Sequence, residues 1–269
     1  MKIVSFKSGL GNQVFYYLMT QYLKEKCPGH TVYGNYNRKW LTAHNGLELQ
    51  TALKVDLPAS TRWSDFITLC CRAVHRFMPS ARITDSNFTE RGIYYDGWWQ
   101  DKRFFLDNVE KLEFQEPLLT ESNREYIRLM EATNSVALHV RRGDYLLPQF
   151  RDTYGGICTL EYYNEAIGII KQKMSNPHFF VFSNDLEWVK ENLGIENATY
   201  VSGNSGIDSW IDMYLMSHCK ANIIANSTFS YWGARLNKNA NGGSIIIYPK
   251  RWINNHPVPD IFPDGWIGL

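Results

Sequence analysis

The chain has 269 residues, 44% of them hydrophobic and 20% charged, so it can form one large domain or two of ordinary size. Its net charge of +1 excludes a global basic field for nucleic acid, and any anion must therefore be bound locally. The five cysteines form no Cys-x-x-Cys pair, which argues against a zinc site and a disulfide framework. No leader or membrane-spanning run is visible in the sequence, so we expect a cytoplasmic protein, with peripheral association at the inner membrane face as the alternative.

The chain opens with a predicted strand over residues 3–6, a glycine turn, and a predicted helix over residues 12–26. The turn, Gly9-Leu-Gly-Asn-Gln13, places Gly11 and Asn12 at the start of that helix, where backbone N–H groups attract anions. It lacks the third glycine of a dinucleotide fingerprint. Taken alone, an ordinary tight turn is the simpler interpretation.

A second, amphipathic helix is predicted over residues 60–78. Several apolar side chains share one of its faces: Trp63, Phe66, Ile67, Cys70, Val74 and Phe77. We expect this face to pack against a core, and a helix lying on a membrane surface or a partner is the alternative.

The densest aromatic stretch covers residues 93–100. Its rings, Tyr94, Tyr95, Trp98 and Trp99, are candidates for a platform that stacks on a sugar, with Gln100 bonding hydroxyl groups. Burial of the same rings in a strand is an equally good interpretation. We place a domain boundary after this stretch, near residue 133.

The second half begins with an apolar strand over residues 136–140 that runs directly into Arg141, Arg142, Gly143 and Asp144. Two arginines at the end of a buried strand are costly unless an anion meets them. Each guanidinium can grip two phosphate oxygens, and Asp144 can brace one arginine while the other takes a ligand. The competing interpretation is a solvated loop with a weak surface ion pair.

Strands and helices then alternate regularly, which predicts a parallel sheet covered by helices. In such sheets ligands bind outside the carboxyl ends of the strands. Three polar clusters follow predicted strands: Arg141 and Arg142; Ser183, Asn184 and Asp185; and Asn226, Ser227 and Thr228. Ser227 and Thr228 are also ordinary helix N-cap residues, but an N-cap at this edge offers hydroxyl and N–H groups to a phosphate.

These residues resemble a known family. His139-Val-Arg-Arg-Gly-Asp144 is similar to the His-x-Arg-Arg-x-Asp motif of the alpha-1,2-fucosyltransferases. The glycine turn, the strand ends at residues 182–185 and 226–234, and Gly97-Trp-Trp-Gln100 resemble further motifs of that family. The resemblance implies an α/β fold of the GT-B type, with two Rossmann-like domains, parallel sheets and an interdomain cleft. Residues 1–133 would form the acceptor-side domain and residues 134–269 the GDP-fucose-binding domain.

The implied activity is inverting transfer of L-fucose from GDP-β-L-fucose to the 2-hydroxyl of a terminal galactose. From the motifs and the resemblance together we predict that Arg141, Asp144 and His139 are catalytic. The predicted donor-binding residues are Arg141, Arg142, Gly11, Asn12, Ser183, Asn184, Asp185, Asn226, Ser227, Thr228 and Phe229. The predicted acceptor-binding residues are Trp98, Trp99 and Gln100. No cofactor or metal is expected, because the chain has no Asp-x-Asp pair to hold one against a diphosphate.

No single residue of this chain is matched to a general base of the family; the candidates, by proximity in sequence, are Asp144, Asp152, Glu161 and His139, with Asp144 ranked first. Animal members carry an N-terminal anchor that this sequence does not show, so a Golgi location is not implied. Three alternatives stay open at this point: a non-catalytic glycan-binding protein, another nucleotide-sugar glycosyltransferase, and a nicotinamide oxidoreductase. The acceptor glycan and the oligomeric state are also open.

Overall fold

The computed structural model describes residues 1–36, 41, 45–239 and 243–269. These residues form two compact units, Met1–Gln115 and Glu116–Leu269. The second unit therefore begins earlier than residue 133. The helix between these two positions belongs to the second unit, where the Nδ2 of Asn123 donates to the Oδ1 of Asn204 at 2.9 Å.

The first unit is built on a three-stranded parallel sheet with the strand order β2-β1-β3. Its elements are β1 (Lys2–Phe6), α1 (Leu10–Lys26), β2 (Val32–Tyr36), α2 (Leu49–Ala52), α3 (Arg62–Val74), β3 (Tyr94–Tyr95) and α4 (Leu106–Val109). All five residues of β1 are buried, as expected for a central parallel strand. The predicted strand, turn and helix at the start of the chain are confirmed.

Helix α3 lies with a different face inward from the one that its apolar pattern predicts. Its buried residues are the small ones, Ser64, Thr68 and Cys71. Cys71 packs with Ile3 and Tyr94, so small side chains let the helix approach the sheet closely. Trp63, Phe66 and Phe77, in contrast, are exposed. The prediction that the aromatic face packs against a core is therefore wrong.

The second unit contains a six-stranded parallel sheet with the strand order β6-β5-β4-β7-β8-β9. Its helices are α5 (Glu121–Ala132), α6 (Pro148–Tyr154), α7 (Leu160–Lys173), α8 (Leu186–Leu193), α9 (Trp210–Met216) and α10 (Thr228–Arg235). Its strands are β4 (Asn134–Val140), β5 (Pro177–Ser183), β6 (Ala198–Tyr200), β7 (Ala221–Ile223), β8 (Ile245–Tyr248) and β9 (Ile267–Gly268). The predicted alternation is confirmed, and the short edge strand β9 was not predicted.

Strand β4 lies at the centre of this sheet, between β5 and β7. Its register with β5 runs from Asn134 opposite Pro177 to Val140 opposite Ser183, so the two strands end at the same level. The core beneath this edge is apolar and continuous, and includes Val136, Leu138 and Val181 together with side chains of α7. A rigid strand end therefore carries the two arginines.

Candidate active site

The carboxyl edge of the second sheet brings the three predicted polar clusters onto neighbouring strands. Because Val140 is opposite Ser183, the residues that follow them, Arg141 and Asn184, leave the sheet side by side. Leu138 is opposite Ile223 on the other side, so Asn226 follows three residues beyond that pair. The expectation of a shared edge is confirmed by the strand order and register.

Arg142 contacts the residues that follow β5 and the first turn of α8. Its Nε donates to the Oδ2 of Asp185 at 3.2 Å, and its guanidinium lies 3.6 Å from the ring centre of Trp188. Its backbone N–H donates to the Oδ1 of Asn184 at 3.1 Å. Asp185 also accepts from the backbone N–H of Trp188 and so caps α8. Arg142 and Asp185 thus hold two strand ends together, and neither is left wholly to a ligand.

Arg141 is held by a single carboxylate. Its Nη2 donates to the Oδ2 of Asp144 at 2.9 Å, and its guanidinium lies over the ring of Tyr145 at 5.6 Å. Within the described part of the chain, its buried Nε and the Oδ1 of Asp144 have no hydrogen-bond partner. The side chain of Arg141 is about one-third exposed. Among the described residues, Arg141 and Arg142 each donate one side-chain hydrogen bond to a carboxylate, so both guanidinium groups keep donors that an anion can satisfy, and Arg142 is in addition held against the ring of Trp188.

His139 is buried directly behind this edge, with its ring 6.2 Å from that of Phe229. Its Nδ1 has no hydrogen-bond partner among the described residues. Burial, and secondarily the charge of Arg141, lower the pKa of His139 to about 3. An imidazole with so low a pKa is a weak proton acceptor, which argues against His139 as the general base.

The low pKa of His139 predicts a specific pH dependence of stability. Between pH 6.5 and about 3 the unfolded chain binds a proton at this residue that the folded chain does not. The free energy of unfolding should therefore fall as the pH drops through this window, by about 1.4 kcal/mol per pH unit from this residue. His139→Phe should flatten the slope in urea titrations from pH 7 to pH 4. The exposed His256→Phe is the matched control and should leave the slope unchanged; an unaltered slope in His139→Phe would contradict the assignment.

Asn226 organises the third strand end through bonds to protein groups. Its Nδ2 donates to the backbone oxygens of Tyr154 and Trp252, both at 3.2 Å, and its Oδ1 accepts from the Sγ of Cys158. Its backbone oxygen accepts from the hydroxyl of Tyr145 at 3.0 Å. Both donors of the Asn226 side-chain amide are therefore used by backbone oxygens of the protein.

Helix α10 starts immediately after this anchor. Ser227 occupies its N-cap position with an extended backbone, yet its side chain makes no capping hydrogen bond. Uncapped N–H groups at a helix start favour an anion. Ser227 is buried, Thr228 is half-buried, and Phe229 lies against His139. The start of α10 thus has the features expected of a phosphate site.

In the first unit, the glycine turn and the aromatic stretch meet at the carboxyl edge of β1. The Nδ2 of Asn12 donates to the Oγ of Ser8, and its Oδ1 accepts from the Nε2 of Gln100, both at 3.1 Å. Ser8 adopts a positive φ of 65°, which turns the chain into α1. Gly11 is buried in the first turn of that helix. Asn12 and Gln100, predicted from separate motifs, therefore form one polar pair.

The two tryptophans of the aromatic stretch have different environments. Trp99 is fully buried among Phe88, Tyr95 and Phe104, so its ring face is not available to a sugar. Trp98 is 44% exposed, with the ammonium of Lys7 4.7 Å from its ring centre. Tyr94 and Tyr95 are buried as well, so the four-ring platform is reduced to Trp98 with Gln100 beside it in the chain.

The positive charge of Lys7, which lies against the ring of Trp98, is balanced by the buried carboxylate of Asp96. Asp96 accepts from Lys7 at 3.1 Å and lies 2.8 Å from Arg82. Burial alone would raise the pKa of Asp96, but the two cations hold it below its ordinary value. Asp96 is therefore ionised and fixes Lys7 under the exposed ring.

Comparison with known proteins identifies the chain. The family model described as Glycosyl transferase family 11 matches residues 49–269. The chain belongs to glycosyl transferase family 11. An alpha-1,2-colitosyltransferase of Escherichia coli is 31% identical to it, over 99% of this chain and 98% of that protein. The glycosyltransferase WbnK of O-antigen biosynthesis, also from Escherichia coli, is 37% identical over 52% of this chain and 46% of its own length.

Other relatives match over about half of the chain. Galactoside alpha-(1,2)-fucosyltransferase 1 of Ateles belzebuth is 31% identical over 50% of this chain and 38% of that protein. Among solved structures, the fucosyltransferase NodZ from Bradyrhizobium has 13% identity and a TM-score of 0.53, covering 86% of this chain and 92% of NodZ. This likeness confirms the α/β, GT-B-type fold. Membership of family 11 makes the chain a glycosyltransferase and removes the lectin and oxidoreductase alternatives.

Several residues of this candidate site were not predicted from the sequence. Trp188 carries Arg142, and Tyr145 connects the end of β4 to that of β7. Asp85 accepts from the backbone N–H groups of Trp98 and Trp99, both at 2.8 Å, and so shapes the aromatic turn. Tyr145 directly follows the arginine motif and Trp188 is three residues after Asp185, so both lie close in sequence to residues that the sequence analysis singled out. The residues around Asp85 form no motif that would predict its hydrogen bonds to the aromatic turn.

The remaining base candidates lie on exposed helical positions. Asp152 is on α6 and Glu161 on the first turn of α7, and both side chains are exposed. Among residues with described positions, His, Cys, Asp and Glu side chains form no cluster able to hold a metal ion. Asp144 stays the candidate nearest to Arg141, although one of its oxygens is used by that arginine.

Proposed function

We propose that the chain transfers L-fucose from GDP-fucose to the 2-hydroxyl of a terminal galactose, inverting the anomeric centre. The observation that supports this most strongly is the position of Arg141, held by one carboxylate at the sheet edge that also carries the uncapped start of α10. Membership of family 11 and the alpha-1,2 relatives favour the same linkage.

In this proposal the second unit binds the donor. Breaking the glycosidic bond gives an oxocarbenium-like sugar and leaves negative charge on the GDP diphosphate. Arg141 donates to the departing phosphate oxygens, and the first N–H groups of α10 point at the same charge. Arg142, Asn184 and Asp185 keep the loop in place. Asp144 positions Arg141 and is the first candidate to accept the acceptor's hydroxyl proton.

The first unit, in turn, supplies the acceptor side. Trp98 offers an exposed indole face of the kind that stacks on sugar rings, and the pair of Gln100 and Asn12 offers amide groups to hydroxyls. Lys7, fixed by Asp96, keeps the ring oriented.

One observation favours a second sugar donor, the nucleotide-activated form of colitose. The relative that aligns over nearly the whole chain is named an alpha-1,2-colitosyltransferase. Colitose is fucose without its 3-hydroxyl group, so the same diphosphate site would serve both sugars. Incubation with GDP-fucose, or with the corresponding colitose donor, and a panel of galactosides, followed by mass spectrometry and NMR of the product linkage, tests the proposal. A 2-linked product supports it, and no transfer from either donor to any galactoside contradicts it.

We expect catalysis to persist when metals are removed. The chain has no Asp-x-Asp pair, and Arg141 supplies positive charge where a metal would otherwise neutralise the diphosphate. Turnover should be unchanged in excess EDTA and should not rise when Mg²⁺ or Mn²⁺ is added back. Loss of activity in chelator with recovery on adding Mn²⁺ would contradict the prediction.

Asp85→Ala should weaken acceptor use specifically. Without its carboxylate the N–H groups of Trp98 and Trp99 lose their acceptor and the turn that carries Gln100 loosens. We expect the KM for the galactoside to rise about tenfold, the loss of roughly 1.4 kcal/mol of binding, with the KM for the donor unchanged. The exposed Asp107→Ala, in the same unit, is the matched control. Equal effects on both KM values would contradict an acceptor-side role.

A further inference from the structure

Helix α3 and the residues after it expose a contiguous apolar surface, the α3 patch. Its members are large side chains that a core would normally bury: Trp63, Phe66, Leu69, Val74, Phe77 and Met78. Phe77 is 88% exposed, Leu69 65% and Trp63 61%. Single exposed apolar residues are ordinary on protein surfaces, whereas a cluster of six on one short segment marks an interaction surface.

The geometry of the patch is that of a helix lying flat with its apolar stripe outward. Trp63 and Phe66 are three residues apart on α3, and their rings stack with centroids 5.6 Å apart. The opposite face, Ser64 and Thr68, is buried. Phe77 and Met78 follow the end of the helix, and both side chains are exposed.

The charges around the patch are positive. Residues 60–82 contain four arginines and one aspartate, although the whole chain has a net charge of only +1. Arg62, the first residue of α3, and Arg76, two residues after its end, are exposed and make no ion pair within the described ranges. The lone acid, Asp65, already accepts from Asn35 and Ser60.

We infer that the α3 patch binds the surface of an anionic lipid bilayer. Exposed aromatic side chains on a short helical segment with an arginine near each end are features of a helix that lies in the membrane interface, with rings among the acyl chains and cations at the headgroups. A second copy of the chain would bring the same four arginines with Asp65 as the single acid against them, so charge complementarity favours an anionic lipid surface. No helix in the described part of the chain has the length and apolar character needed to cross a bilayer.

Co-sedimentation of the full chain with vesicles tests this inference. The wild type should bind vesicles of phosphatidylcholine mixed with phosphatidylglycerol, bind phosphatidylcholine alone weakly, and lose affinity as salt rises. Trp63→Ser with Phe77→Ser should weaken binding to the mixed vesicles by at least about tenfold, because two inserted rings are lost. Arg62→Ser with Arg76→Ser should remove the preference for the anionic lipid. Leu118→Ser, an equally exposed apolar residue outside the patch, should bind as the wild type does.

Two further measurements separate lipid binding from other causes. The patch variants should keep the wild-type melting temperature and full transfer to a soluble galactoside, because none of their residues belongs to the proposed site. Absence of binding to mixed vesicles, or unchanged binding in the Trp63 and Phe77 variant, would overturn the inference. Light scattering that shows a wild-type dimer dissociated by the same substitutions would also overturn it and assign the surface to a second copy.

Discussion

Arg141→Lys is expected to lower kcat by at least about 100-fold, comparable to removing one preorganised donor to a developing negative charge. Lysine keeps the charge but loses the planar, two-pronged geometry that matches a phosphate. It also cannot bond both Asp144 and the leaving diphosphate in the way that Arg141 can from its fixed place beside Tyr145. The measurement is steady-state turnover with GDP-fucose and the best galactoside.

The control for this substitution is Arg128→Lys. Arg128 lies in the same unit and also pairs with a carboxylate, that of Glu121, but both side chains are exposed on α5. An exposed ion pair contributes little, so turnover and melting temperature should stay at wild-type values. Near-normal turnover in Arg141→Lys would show that Arg141 is an ordinary loop arginine.

Gly143→Ala is expected to cause the second largest loss, about 100-fold in kcat/KM. A Cβ at this position would lie 2.1 Å from the Nδ2 of Asn184, so the amide must move. Asn184 holds the backbone N–H of Arg142, and its displacement shifts the loop that carries Arg141. A misplacement of about 1 Å in a catalytic group can cost roughly 100-fold in rate. Because the clash is with the end of a side chain, the melting temperature should change little.

A second substitution tests this steric argument. Asn184→Ala removes the amide and with it the clash, so the double variant Gly143→Ala with Asn184→Ala should be close to Asn184→Ala alone. Gly168→Ala is the matched control, because a Cβ on this residue of α7 meets nothing within 4 Å and alanine suits a helix. If Gly143→Ala lowered kcat/KM in the Asn184→Ala background as much as it does in the wild type, the effect would not be steric.

The position of the candidate site could be predicted from the sequence because it depends on local signals. Each strand of the second half is an apolar run that ends in polar residues, and parallel strands place such ends at one edge. The order of the strands was not available, however. Asp185 binds Arg142 because β5 is the neighbour of β4, and no local pattern indicates which arginine receives which carboxylate. The two arginines therefore looked equivalent until the register was known.

Burial was harder to predict than position. Trp98 and Trp99 are adjacent and chemically alike, but Trp99 adopts a positive φ of 58° and turns its ring into the aromatic cluster. That conformation depends on Asp85, thirteen residues from Trp98, which accepts both backbone N–H groups. Similarly, the apolar stripe of α3 has the period of a core helix, and only the tertiary structure shows that its small residues face the sheet. Periodicity identifies a helix but not which face meets the core.

Calorimetric titration of GDP and of guanosine into wild type and Arg141→Ala tests the central claim most directly. The account predicts that the wild type binds GDP much more tightly than guanosine, that Arg141→Ala loses at least about tenfold in GDP affinity, and that guanosine affinity is the same in both. Equal GDP affinity in the two proteins would contradict the account, because the diphosphate would then be held without this arginine.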